Sequence, residues 1–196
     1  MGMDRPPVKI HLLPGGKMPL MQTKGAIGFD VAIRAVVSPN EMSTANPILR
    51  KTLFDFENVP KDNPYVERHI TIMPSQSGNL LAYQMEAGES VLVGIGFLTE
   101  MEWPIFYWVA PRSGLAAKWG ITVTNAPGTV DPDYRGEAGV LVYNRNPHPF
   151  LLYKGMRIAQ IIFQTALIPE FIRVNSPEEL SHTSRGADGF GSTGIK

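Results

Sequence analysis

In a chain of 196 residues, 19 Gly and 17 Pro occupy about 18% of positions, against an average of about 12%, so long uninterrupted helices are excluded and strands with turns are favoured. Eighteen Lys and Arg balance eighteen Asp and Glu, which argues against a protein held on nucleic acid by a broad basic field; an anionic ligand has to be held by a few placed residues. The absence of Cys excludes disulfides, thiolate metal sites and thiol nucleophiles.

Taken in chain order, the N-terminal residues carry no apolar signal core, and Val8–Leu13 is the first strand candidate. Phe29–Val37 is the second. Residues 38–84 mix Pro39, Pro47, Pro60, Pro64 and Pro74 with apolar clusters such as Ile48–Phe56, and read as an insertion. Strand candidates resume at Ser90–Leu98, Ile105–Ala110, Ile121–Thr124, Ala138–Tyr143, Phe150–Tyr153, Arg157–Gln164 and Leu167–Val174. One short helix is predicted over Ser113–Trp119, with Ser113 as N-cap and Gly120 closing it, and a second turn over Pro177–Leu180. The longest apolar stretch, Ile105–Ala110, is far below the roughly 20 residues that span a bilayer, so a soluble, cytoplasmic protein is expected. The domain organisation expected is a β domain over 1–181, with the insertion at 38–84, and a mobile arm over 182–196.

Three stretches carry chemistry. Pro111-Arg112-Ser113-Gly114 follows an apolar run and places a guanidinium, a hydroxyl and free backbone N–H groups at the start of a helical turn, which favours a phosphate; a plain capped turn is the alternative. Asn125 to Gly136 has the residues of a long, rigid hairpin, on which Asp131, Asp133 and Tyr134 can orient a water and pack on a sugar; a structural β-arch fits the same residues. Gly189-Phe-Gly-Ser-Thr-Gly194 matches G-x-G-x-x-G but only Ile195 and Lys196 follow it, leaving no helix to face a pyrophosphate. Its glycine N–H groups, with Ser192, Thr193 and Arg185, still suit phosphate oxygens, and Phe190 suits the face of a ring. His11, His69, His148 and His182 lack metal-ligand spacing. Serine-hydrolase and P-loop signatures are absent.

Together and in order, Ala26–Ala32, Pro111–Ile121, Asn125–Gly136, Gly155–Gln160 and Arg185–Gly194 resemble the five motifs of the trimeric dUTP pyrophosphatases, the dUTPases. The resemblance implies an all-β subunit, a β-barrel or distorted jelly roll with one or two short helical turns, in a homotrimer whose active sites are shared between chains. It implies Mg²⁺-dependent hydrolysis of dUTP to dUMP and pyrophosphate by water attack on the α-phosphate. By the same resemblance Asp131 is the general base and Tyr134 packs on deoxyribose. Asn125, Gly128 and Val130 of the hairpin read uracil. Arg112, Ser113, Gly114 and Gln160 contact phosphate, and Asp30 holds Mg²⁺ through water. Arg185, Ser192 and Thr193 grip the γ-phosphate end while Phe190 stacks on the base, with Gly191 among them, as the arm closes over a neighbouring subunit's site. Met156 departs from the family pattern, where an acidic residue is common.

Two other readings compete. The related dCTP deaminases place a catalytic Glu three residues before the Asn matched by Asn144, and here that position is Leu141, which carries no proton. A nucleotide-binding regulatory protein would use the insertion at 38–84 to engage a partner. Neither nucleic-acid binding nor membrane association is expected.

Overall fold

The computed structural model describes residues 6–42, 50–76 and 78–189. In chain order the strands are β1 (Val8–Leu12), β2 (Phe29–Ala32), β3 (Ala35–Met42), β4 (Arg50–Phe54), β5 (Ile70–Ser75), β6 (Gly78–Met85), β7 (Ser90–Gly94), β8 (Phe97–Met101), β9 (Ile105–Pro111), β10 (Ile121–Val123), β11 (Gly128–Val130), β12 (Gly139–Asn144), β13 (Phe150–Leu152) and β14 (Arg157–Thr165). Two short helices interrupt them, α1 (Pro64–Glu67) and α2 (Ser113–Trp119). The strands pair antiparallel in four sheets, ordered β1-β8, β10-β12-β7-β3-β4, β11-β9-β14-β2 and β13-β6-β5. No sheet closes on itself among the described residues, and the expected all-β, jelly-roll class fits these four antiparallel sheets.

Period-two alternation explains which faces turn inward. In β12, Val140, Val142 and Asn144 are buried and the residues between them are not. Val140 opposes Val93 and Val142 opposes Val91 across the β12–β7 ladder. These side chains join Phe54, Tyr83, Phe97, Tyr107 and Ile161 in one core.

Two predicted strands are each broken in two by the structure. Phe29–Val37 splits because β2 pairs with β14 while β3 pairs with β7, and at the crossing Ile33 N–H donates to Met156 and Arg34 N–H to Gly94. Ser90–Leu98 splits at Gly96, whose φ of +77° suits glycine and whose Cα side is so close to Gly16 that a Cβ would lie 2.5 Å from the Gly16 Cα. The stretch 38–84 is woven into the fold: β4 pairs with β3, β6 pairs with β13, and Phe54, Phe56, Val66, Ala82 and Tyr83 are buried. Asn63 caps α1 by accepting the Val66 N–H at 3.2 Å, with Pro64 at the first helical position.

The Tyr83 hydroxyl donates to Glu89 Oε1 at 2.6 Å and the Tyr65 hydroxyl to the same oxygen at 3.0 Å. Burial, followed by the Glu89 contact, pushes the Tyr83 phenol well up, and burial raises Tyr107 to about 12. Unfolded tyrosines ionise near pH 10 while these two stay protonated in the native state, so stability is full below pH 10 and falls as pH rises from there towards 12. An alkaline titration of phenolate absorbance is expected to show the two phenols ionising only on unfolding, and Tyr107→Phe is expected to reduce the alkaline loss of the urea midpoint.

Contacts divide the chain into two units, Met1–Ala166 and Leu167–Lys196. In the second, the predicted turn forms as a 3₁₀ turn over Pro177–Glu179, with Glu179 Oε1 accepting the Asn175 and Ser176 N–H groups at 2.9 and 3.2 Å. The predicted strand Leu167–Val174 is not one. Extended backbone becomes a strand only against a partner, and no described residue pairs with this segment, whose Leu167, Phe171 and Ile172 are 91%, 92% and 84% exposed.

Candidate active site

The hairpin 121–136 has its two arms in different sheets. β10 pairs with β12, whereas β11 pairs with β9, where Gly128 opposes Val109 and Val130 opposes Tyr107. The Ala126–Pro127 peptide at the tip is cis. Beside the hairpin lies a cavity of about 310 Å³, in whose wall Asn125, Gly128, Val130, Asp131 and Tyr134 come together with the apolar Leu92, Val109 and Leu141. Gly128 leaves room for Asn125, since a Cβ there would sit 3.1 Å from the Asn125 amide nitrogen. The Tyr134 hydroxyl donates to the Glu137 carbonyl at 3.1 Å. Gly136 makes this possible, because a Cβ would meet the same hydroxyl at 2.3 Å. Arg135 braces the turn by donating to the Pro132 carbonyl at 2.6 Å.

Beneath the hairpin a buried carboxylate fixes its far end. Glu137 is wholly buried and accepts Arg34 Nε and Nη2, each at 2.7 Å, together with the Gly96 N–H at 3.0 Å. Gly94 leaves space for it; a Cβ there would lie 2.4 Å from Glu137 Oε1. All three donors converge on one carboxylate, the arrangement that a buried charge requires.

A second cluster forms across three adjacent strands. Gln160 of β14 stands opposite Asp30 of β2 on one side and Ala110 of β9 on the other. Asp30 Oδ1 accepts Arg112 Nε at 3.1 Å and Oδ2 accepts Arg157 Nη1 at 3.0 Å. Gln160 Nε2 donates to the Pro111 carbonyl at 3.0 Å, in space that Gly28 leaves open. Arg112 occupies the N-cap of α2 with extended backbone, so Ser113 is the first helical residue and not the predicted cap; no side chain caps this end. Ser113 and Gly114 therefore sit in the first turn, whose N–H groups are oriented for an anion. Gly120, at φ +63°, closes α2 as expected.

The structure thus places Asn125, Gly128, Val130, Asp131 and Tyr134 in the wall of one cavity and Asp30, Arg112 and Gln160 in a second cluster that does not line it. Arg185 lies in the second unit, where its Nε donates to the Asp188 carbonyl at 2.9 Å. Phe190, Gly191, Ser192 and Thr193 lie outside the described residues. Among the described residues no three His, Cys, Asp or Glu side chains cluster as a metal cage.

Sequence reasoning missed Arg157, Glu137, Arg34 and Arg50. Arg157 had a signal, being a cation three residues before Gln160 at the head of an apolar strand, and so had Glu137, a lone carboxylate beside an alternating apolar run. Arg34 and Arg50 had none.

The dUTPase family model matches residues 81–194, and curated relatives align with the chain at length. The deoxyuridine 5'-triphosphate nucleotidohydrolase of Rickettsia akari is 41% identical over 133 residues, 67% of this chain and 86% of the relative. The chain belongs to the dUTPase family. Membership makes it a dUTP diphosphatase. The nucleotidohydrolase of Nautilia profundicola is 49% identical over 110 residues, 56% of this chain and 75% of that one. Among solved dUTPases, that of Staphylococcus bacteriophage 80alpha shares the fold with a TM-score of 0.63 at 17% identity, over 96% of this chain and 99% of its own. The dUTPase from phage phi11 of S. aureus, described with a species-specific insert, has a TM-score of 0.59 at 13% identity, over 89% and 99%. The dUTPase match begins inside β6, so Asp30 and most of residues 38–84 precede it.

Proposed function

We propose that this site hydrolyses dUTP to dUMP and pyrophosphate, with Asp131 as general base. The observation that carries the reading is the placement of Asp131 in the wall of a cavity that also holds Asn125, Gly128, Val130 and Tyr134. The Asp131 carboxylate takes a proton from a water whose oxygen attacks the α-phosphorus; the bond from that phosphorus to the bridging oxygen breaks, and pyrophosphate leaves with the electron pair. Asn125 and the β11 backbone read the uracil edge, and the confined hairpin rejects a 5-methyl group by clash. Tyr134 packs on deoxyribose and leaves no room for a 2′-hydroxyl. Leu141, in the same wall, offers no carboxylate for deamination, which supports hydrolysis over a deaminase reading.

Arg112, Ser113, Gly114 and Gln160 bind phosphate oxygens. The Asp30 carboxylate fits an outer contact to Mg²⁺: each oxygen accepts one guanidinium hydrogen bond and retains a further lone pair, and no all-protein cage competes among the described residues. A Mg²⁺ ion held there would supply charge neutralisation for the triphosphate; a phage phi11 dUTPase is described with a structural Mg(II) ion. Arg112 and Arg157 keep Asp30 oriented for that contact.

The separation of the two clusters supports a homotrimer in which subunits complete one another's sites. So do an apolar groove of about 560 Å³ involving Val8, Met21, Phe29 and Phe163, and the exposed Leu167, Phe171 and Ile172, surfaces that suit burial against other copies. The arm over 182–196 closes on a bound triphosphate, with Arg185, Ser192 and Thr193 on phosphate, Gly191 giving backbone access and Phe190 on the base. The enzyme works in the cytoplasm, limiting uracil entry into DNA and supplying dUMP; among the described residues no helix is long and apolar enough to cross a membrane.

A hydrolysis panel of dUTP, dTTP, dCTP and UTP, with and without Mg²⁺, tests this reading on the full chain and on a chain ending at Ser184. Pyrophosphate release from dUTP alone, dependent on Mg²⁺ and reduced at least about tenfold by the truncation, is expected. Ammonia release from dCTP overturns it.

A further inference from the structure

Residues 38–84 read as an insertion in the sequence, and one of their side chains reaches the cavity. Arg50, the first residue of β4, lines the cavity with Asp131 and Tyr134. Its Nε donates to the Glu137 carbonyl at 3.1 Å, and the Tyr134 hydroxyl donates to that same carbonyl at 3.1 Å. A carbonyl oxygen has two lone pairs, so these two donors fill one acceptor. The guanidinium reaches it by crossing β12 at Gly139, where a Cβ would lie 3.3 Å from Arg50 Nε.

We propose that Arg50 is a positioning residue for nucleoside selection, which brings the insertion into the dUTPase site by fixing Tyr134 through the shared Glu137 carbonyl. The inference rests on the proposed role of Tyr134 against the sugar. Arg50 belongs to the stretch that reads as an insertion and lies outside the residues matched by the family model. The Tyr134 phenol is tied to this carbonyl by its hydroxyl. With Arg50 in place the carbonyl cannot turn towards another donor, and the ring keeps the one position that leaves no space for a 2′-hydroxyl. A rigid ring penalises ribose by clash, whereas a ring free to shift accommodates it. The buried Glu137 side chain anchors the same residue from the other side, so the carbonyl sits on a stiff support.

The variants are Arg50→Met, which keeps the aliphatic stem and removes the donor, and Arg50→Lys, which keeps a donor. Ile72→Ser, on an exposed position of β5 in the same insertion, is the control. Dissociation constants for dUMP and UMP are measured beside kcat and KM for dUTP and UTP, with circular dichroism reporting folding. Arg50→Met is expected to narrow the preference for the deoxy nucleotide about tenfold, raising KM more than it lowers kcat, and Arg50→Lys to restore part of it. Tyr134→Phe combined with Arg50→Met is expected to cost less than the sum of the two, because both act through one carbonyl. Unchanged deoxy-over-ribo preference in a folded Arg50→Met, or additive effects in the cycle, overturns the inference. If Arg50→Met does not fold, Arg50→Lys decides by the same preference and the same cycle with Tyr134→Phe. Binding of dUMP without hydrolysis of dUTP removes the proposed reaction and leaves the inference to be judged on the dissociation constants; a wild-type chain that binds neither nucleotide overturns both.

Discussion

Asp131→Asn is expected to bind dUTP within a few-fold of the wild type and to lose about 10²- to 10⁴-fold in kcat, the range that a positioned general base supplies. Asn matches Asp in size, so the exposed residue after β11 keeps its place, and the Tyr134 N–H still donates to the backbone carbonyl of residue 131, now at 3.2 Å. What the amide lacks is basicity. It cannot take the proton that must leave the water as the oxygen–phosphorus bond forms. The defect therefore falls on the chemical step, while the cavity wall and the phosphate contacts are unchanged. Single-turnover kinetics beside equilibrium binding check this, and a kcat near that of the wild type removes Asp131 from the role of base.

Glu137→Gln is expected to lower stability by about 3 to 5 kcal/mol, the cost of leaving a buried charge without its counter-charge. The Arg34 side chain is 13% exposed and that of Glu137 is fully buried, so water cannot take over when the carboxylate is lost. The new amide also turns an N–H donor towards donors. In a chain of this size such a loss corresponds to roughly 10 °C in the unfolding midpoint. Replacing both partners, as Arg34→Met with Glu137→Leu, is expected to recover much of it, since removing the pair together leaves no orphaned charge. Urea and thermal midpoints of the two single variants and the double variant measure the coupling. Equal losses in the double and in the sum of the singles would show that the pair is not energetically linked.

Much of the fold was legible because the chain alternates where it forms half-buried strands: β12 and β7 show their inward valines in the sequence itself. The breaks at Ile33–Arg34 and Gly96 were not legible, because a strand that leaves one sheet for another keeps its β-branched composition through the crossing. Leu167–Val174 failed for the opposite reason: composition suggested a strand, and pairing, which is a property of neighbours, decided otherwise. In the site, the hairpin and the Arg112 turn announced themselves by residue type. Arg50 did not, since its place beside Glu137, 87 positions along the chain, depends on how β4 sits in space and not on residue type.

The hairpin's division between two sheets has a consequence for how the enzyme responds to change elsewhere. One arm is hydrogen-bonded to β12 and the other to β9, and the cavity wall draws on both of those strands, with Leu141 from one and Val109 from the other. On the proposed function, a methyl group removed at the buried Val109, which lines the cavity, is expected to change the space open to the base, so a tight fit to uracil depends on apolar packing as well as on the polar residues of the wall.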